Sequence, residues 1–97
     1  MSTYILLMNF TEQGIKNIKN VPARIEAAEK SLEAAGCKMT GYYVVMGGYD
    51  IVAIIEAPGD EVILTKLLEL GSLGNVRTTT LKAFSREEYL EMINRLP

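Results

Sequence analysis

Histidine and tryptophan are both absent from the 97 residues, and there is one cysteine, Cys37. Without an imidazole the chain has no histidine-ligated haem, none of the common zinc or copper sites, and no histidine-activated nucleophile. A single thiol closes no internal disulfide, which fits a reducing, cytoplasmic setting. Cys37 directly follows Gly36 at the expected end of a helix, so it reads as a packed cysteine rather than a reactive one. Long apolar runs are missing too: none approaches the roughly 18 residues that cross a bilayer. The opening "MSTYILLMNF" has neither a basic leader nor a small-residue cleavage site and reads as a strand. There is no surplus of positive charge. Ten basic side chains face twelve acidic ones, and the nearest basic cluster, Lys16, Lys19 and Arg24, is diluted by Glu26 and Glu29. Binding to a nucleic-acid backbone is therefore not expected. These absences lead us to expect no metal, no cofactor, no membrane segment and no nucleic-acid partner.

What is present suits one folded domain over residues 1–97, with 48% hydrophobic and 23% charged residues. "TYILLMNF" is the first strand, and "TEQGIKNIKN" a polar connector broken by Gly14, with a turn of helix near Thr11 to Gly14. In "NVPARIEAAEKSLEAAG" Asn20 is placed to cap a helix, Pro22 fits its first turn and Gly36 its left-handed exit. Val21, Ile25, Ala28, Leu32 and Ala35 recur every three or four residues, which makes one amphipathic stripe. "CKMTGYYVVMGGYDIVAIIEA" is a strand pair, and Gly47-Gly48 could supply the positive φ of a two-residue turn. "PGDE" stops the second of these strands, with Asp60 as the expected cap of a helix that ends at Gly71. "NVRTTTLKAF" is a fourth strand, and Ser85 with Glu88 forms a capping box before a last helix. The order β-α-β-β-α-β-α predicts a ferredoxin-like α+β fold, a four-stranded antiparallel sheet with two main helices on one face and an extra C-terminal helix.

Two helices cover only one side of such a sheet, so the other side should be polar. Strand alternation instead puts Ile5 and Leu7 opposite Leu6 and Met8, and Val52 and Ile54 opposite Ile51 and Ala53. Both faces are apolar. A stable interface covers about 800 Å² per partner, a gross driving force of about 20 kcal/mol before the costs of association. The expected solution is a homodimer, or a higher homo-oligomer, that stacks sheet on sheet as an α+β barrel. The alternative is a monomer in which the last helix folds back over the open face.

The stretch "MGGYDIVAIIEAPGDE", with its Gly48-Tyr49-Asp50 triplet, resembles the GYD domain family, and the likeness extends to "YILLMNFTEQGIKNIK" and "VRTTTLKAF". The resemblance implies a dimeric α+β barrel and little defined chemistry. A looser similarity is to the effector-binding domain of leucine- and asparagine-responsive regulators. It rests on the glycine and tyrosine-aspartate pair before the third strand, and on Val76, Arg77, Thr78 and Thr79 in the fourth. That similarity implies small-molecule binding between protomers. No helix-turn-helix precedes the first strand here, so any regulatory action would run through a partner.

The candidate ligand-binding residues are Tyr43, Gly48, Tyr49, Asp50 and Arg77. Asp50 has two readings. Its carboxylate can accept backbone N–H groups and steady a glycine-rich turn, or it can anchor a ligand. Asp50 and Glu56 lie six residues apart, roughly 20 Å along a strand, and cannot share one reacting bond within a chain. Three functions stay open. The chain is a homo-oligomer that binds a small molecule or a protein, a cofactor-independent oxygenase or isomerase using Tyr43, Tyr49, Asp50 and Arg77, or a structural assembly subunit. An enclosed pocket of about 300 Å³ or more holding Asp50 or a tyrosine hydroxyl would favour the ligand and enzyme readings, and a solidly filled interior the assembly reading.

Overall fold

In the computed structural model, which describes all 97 residues, the strands are β1 (Ser2–Phe10), β2 (Lys38–Val44), β3 (Ile51–Ala57) and β4 (Val76–Ala83). The helices are α1 (Glu12–Lys16), α2 (Val21–Ala34), α3 (Asp60–Ser72) and α4 (Arg86–Asn94), with a 3-10 turn over Ile18–Asn20. The sheet order is β2-β3-β1-β4, antiparallel throughout, so the two most apolar strands sit in the middle. This is the ferredoxin-like α+β arrangement expected from the element order.

The core lies between the sheet and helices α2 and α3. Tyr4, Leu6 and Met8 of β1 pair with Ile55, Ala53 and Ile51 of β3, and all six are buried. Leu32 of α2 and Ile63 of α3 close over them, with Cys37 and Ala57 at one end. Cys37 is buried and burial raises its thiol pKa, so the thiol is held in its inert, protonated form.

Several local signals resolve differently from their sequence reading. Asn20 makes no capping hydrogen bond, because the preceding 3-10 turn already holds it in a helical conformation. Thr11 caps the shorter α1, accepting from the Gly14 N–H. Gly14 is a packing glycine rather than a breaker, since a Cβ there would lie 2.0 Å from the Asn75 carbonyl oxygen. Asp60 is not a cap either. Gly59 holds that position in extended backbone, and the Asp60 carboxylate is turned toward Tyr4 and Lys82. α3 runs on to Ser72, and its left-handed exit is Gly74, at φ 81°. The β2–β3 connection is wider than a two-residue turn. Val44 pairs with Ile51, the Val45 N–H donates to the Asp50 carbonyl, and only Gly47 of the glycine pair has positive φ. A bulge between Met39 and Gly41 shifts the β2 register by one.

Ser85 and Glu88 form the reciprocal capping box, and the Ser85 backbone N–H holds the Glu88 carboxyl below its usual range. The helix they start does not fold back. Every residue from Phe84 to Pro97 is exposed, so α4 leaves the open sheet face uncovered, against the monomer alternative.

Candidate partner interface

Strand pairing fixes which side chains share the open face. Tyr43, Val52, Leu7 and Thr79 form one row across all four strands, and Gly41, Ile54, Ile5 and Leu81 the next. Beyond them Lys38, Glu56, Thr3 and Ala83 form a polar end. The middle of the face is thus aliphatic and aromatic with charge kept to its two margins, the distribution of an interface with an apolar centre and a polar rim. Tyr43 is 59% exposed and Leu81 47%, while Leu7, Val52 and Ile54 are half-covered by their strand neighbours alone.

Two of the remaining candidate residues flank the other margin. Arg77 lies on β4 opposite Asn9 of β1 and is exposed. Asp50, in the β2–β3 loop, is tied to the same end of β1: its N–H donates to the Met8 carbonyl, and its carboxylate accepts from the Phe10 N–H at 2.9 Å. The acceptor role read from the sequence therefore has its donor in a neighbouring strand, not in the turn. Two strand spacings separate Asp50 from Arg77, about 10 Å. The two form no ion pair. Tyr49 is half-buried in the loop, and Gly48 is exposed with open space where a side chain would stand. Met46, at the loop tip, is fully exposed.

A cleft of about 360 Å³ lies on the opposite face of the sheet, between α2 and α3. Tyr42 borders it; Tyr43, Gly48, Tyr49, Asp50 and Arg77 do not. None of the five candidate residues lines the cleft, and no common pocket gathers Tyr43, Tyr49, Asp50 and Arg77 for joint chemistry. No group of histidine, cysteine or carboxylate side chains is arranged to hold a metal ion. No helix is long and apolar enough to cross a membrane.

A polar cluster escaped the sequence reading. The buried Tyr4 donates its hydroxyl proton to the Asp60 carboxylate, and Lys82 Nζ bonds the same oxygen at 3.0 Å. The Tyr4 hydrogen bond, then that of Lys82, holds the Asp60 carboxyl below its usual range. Asp60 in turn raises both the Tyr4 phenol and the Lys82 ammonium. The cluster ties the start of α3 to β1 and β4. Tyr4 and Lys82 are register partners, so only knowledge of the strand pairing would have pointed to it.

The fold resembles two solved structures. A crystal structure of FFRP-DM1 superposes with a TM-score of 0.61 at 20% identity, covering 87% of this chain and all of the other. A crystal structure of TTHA0845 from Thermus thermophilus gives 0.54 at 24% identity, covering 88% and 95%. In sequence, the chain is 34% identical over 84 residues to the glutamine synthetase and cystathionine beta-lyase binding protein of Thermus thermophilus, covering 86% of this chain and 88% of that protein. Residues 4–93, from the first strand through the last helix and including the Gly48-Tyr49-Asp50 triplet, match the GYD domain, and the chain belongs to the GYD domain family.

Proposed function

We propose that this GYD domain is a non-catalytic binding module of the cytoplasm. Two copies stack their open sheet faces into an α+β barrel, and the assembly holds a partner protein. The observation that carries this reading is excess surface. A folded monomer of 10.7 kDa exposes about 5,500 Å², whereas this chain exposes 6847 Å² and buries only 11 of its residues. The surplus, about 1,300 Å², is on the scale of what a stable interface removes from each partner. It coincides with an apolar sheet face and an unpacked, amphipathic α4. The fold's two main helices cannot reach either surface.

The partner class follows from kinship. The Thermus thermophilus relative is named for binding glutamine synthetase and cystathionine beta-lyase, so the favoured partner is a metabolic enzyme of that kind. Small-molecule binding by Tyr43, Gly48, Tyr49, Asp50 and Arg77 would then occur at the rim of the protomer interface.

Size-exclusion chromatography with light scattering tests the dimer, which should elute at twice 10.7 kDa. Ile54→Lys, in the middle of the open face, should give a folded monomer. Wild-type protein immobilised on a sensor should capture purified glutamine synthetase or cystathionine beta-lyase from the same organism. A wild-type monomer at micromolar concentration would remove the barrel, and capture of neither enzyme would remove the partner class.

A further inference from the structure

The cleft between α2 and α3 lies across the sheet from the proposed interface and has its own chemistry. Its walls are apolar: Leu6, Met8 and Ala53 form the floor, Ala28 lines the α2 side, and Leu67 and Leu70 the α3 side. A volume of about 360 Å³ falls at the lower end of small-molecule pockets. Close-packed interiors do not leave such space between two helices and the sheet beneath them. Small residues open it: Ala27, Ala28 and Ser31 stand where larger side chains on α2 would meet α3.

Four charged or hydroxyl groups reach the cleft from its two helices, and they divide by whether they are already satisfied. Lys66 of α3 bonds Ser31 Oγ of α2 at 3.0 Å and Glu69 at 3.1 Å, a neutral strap between the helices. Arg24, two helical turns before Ser31 and so about 10 Å away, is different. It is half-buried, takes part in none of the five ion pairs, and makes one long hydrogen bond, 3.4 Å to the Gly14 carbonyl. A guanidinium presents five donors in a planar fork suited to a carboxylate. The half-buried Tyr42 is close enough for the Arg24 charge to act on its phenol. One unpaired cation and one phenol at an apolar cleft can compensate a single negative charge but offer little to a neutral or polyanionic molecule.

We propose that this cleft binds a small amphipathic carboxylate, with its apolar body between α2 and α3 and its carboxylate on Arg24. The single guanidinium selects a monoanion, and the aliphatic lining selects the body. The site is separate from the proposed sheet-on-sheet interface, because the sheet stands between them.

Decanoate, with decanol as its uncharged counterpart, is a suitable probe, followed by amide chemical shifts in isotope-labelled full-length protein below micelle-forming concentrations. Decanoate should shift residues of α2 and α3 around Arg24, Ala28 and Leu67 and leave the open-face residues Leu7 and Val52 unmoved. Arg24→Gln should weaken decanoate about tenfold, the scale of a lost hydrogen bond to a charged group, without weakening decanol. Ala28→Phe should fill the cleft and abolish binding of both, with circular dichroism confirming that each variant is folded. Saturable decanoate binding that depends on both Arg24 and the Ala28 volume supports the proposal. Lack of decanoate binding, unchanged affinity in Arg24→Gln, or shifts confined to the open face or α4 overturns it.

Discussion

The carboxylate of Asp50 accepts the main-chain N–H of Phe10 at 2.9 Å, across 40 residues of sequence. With the Asp50 N–H on the Met8 carbonyl, this closes the end of β1 where regular pairing with β3 has stopped at Met8 and Ile51. The aspartate of the Gly48-Tyr49-Asp50 triplet is thus a strand-end clamp in this fold.

Removing the carboxylate should therefore cost stability. Asp50→Ala leaves the partly buried Phe10 N–H without its acceptor, worth about 1–3 kcal/mol. In a domain of this size each kcal/mol shifts Tm by roughly 4–8 °C. Asp50→Asn keeps an acceptor oxygen and should lie between Ala and wild type in thermal melts. A variant that melts with wild type but has lost ligand or partner binding would instead assign Asp50 to recognition.

The limits of sequence legibility follow from this clamp. Period-two alternation in β1 and β3, the Ser85–Glu88 box and the Gly36 exit are local, encoded within a few residues, and each took the form expected. Asp50 was legible as an acceptor because short acids near turns accept backbone N–H groups, but its donor lies on another strand. Asp60 and Gly14 were misread for the same reason. Their partners, Tyr4 with Lys82 and Asn75, come close only after the strands have paired. The α2–α3 gap was equally hidden, since the apolar stripe of α2 shows which face is buried and not how closely the next helix approaches.

Gly14 and Gly71 should respond in opposite directions to the same change. Gly14→Ala forces a Cβ against the Asn75 carbonyl, where only backbone could yield. The expected loss is about 3 kcal/mol, the upper range of overpacking. Gly71 lies within α3 with open space at its Cβ position, so Gly71→Ala should gain roughly 0.5–1 kcal/mol. Urea titrations with unchanged m values would check both. Equal effects at the two sites would contradict the close approach of α1 to Asn75.

The Tyr4–Asp60–Lys82 cluster sets a pH dependence with a definite sign. Because Asp60 titrates below its ordinary 3.8 in the folded chain, its contribution is complete above 3.8 and is lost as pH falls through the lower folded value. Tyr4 and Lys82 titrate above their ordinary 10.0 and 10.5, so their contributions are complete below those values and fade as pH rises through the folded ones. Stability measured by denaturant titration should fall toward both extremes. Asp60→Asn should flatten the acid limb, and Tyr4→Phe should soften the alkaline one. An acid limb unchanged in Asp60→Asn would mean that the cluster does not form in solution.

The last helix offers the sharpest separation of folding from assembly. Leu90 and Ile93 are 50% and 41% exposed on a helix whose flanks, from Phe84 onward, touch water throughout. Exposed positions that contact no core change stability by within about 0.5 kcal/mol, so Leu90→Ser with Ile93→Ser should leave the melt of the dilute monomer nearly unchanged. The ridge these residues form on α4 is amphipathic and capped, hence ordered before anything binds it, and a preordered ridge loses little entropy on docking. Captured glutamine synthetase or cystathionine beta-lyase should consequently dissociate faster from the double variant, while light scattering shows whether the dimer survives. Weaker capture with an intact dimer places α4 at the partner. Loss of the dimer with an unchanged monomer melt places it between copies. A fall of several degrees in the monomer melt would mean that α4 packs on its own sheet, and the open-face account of assembly would have to be abandoned.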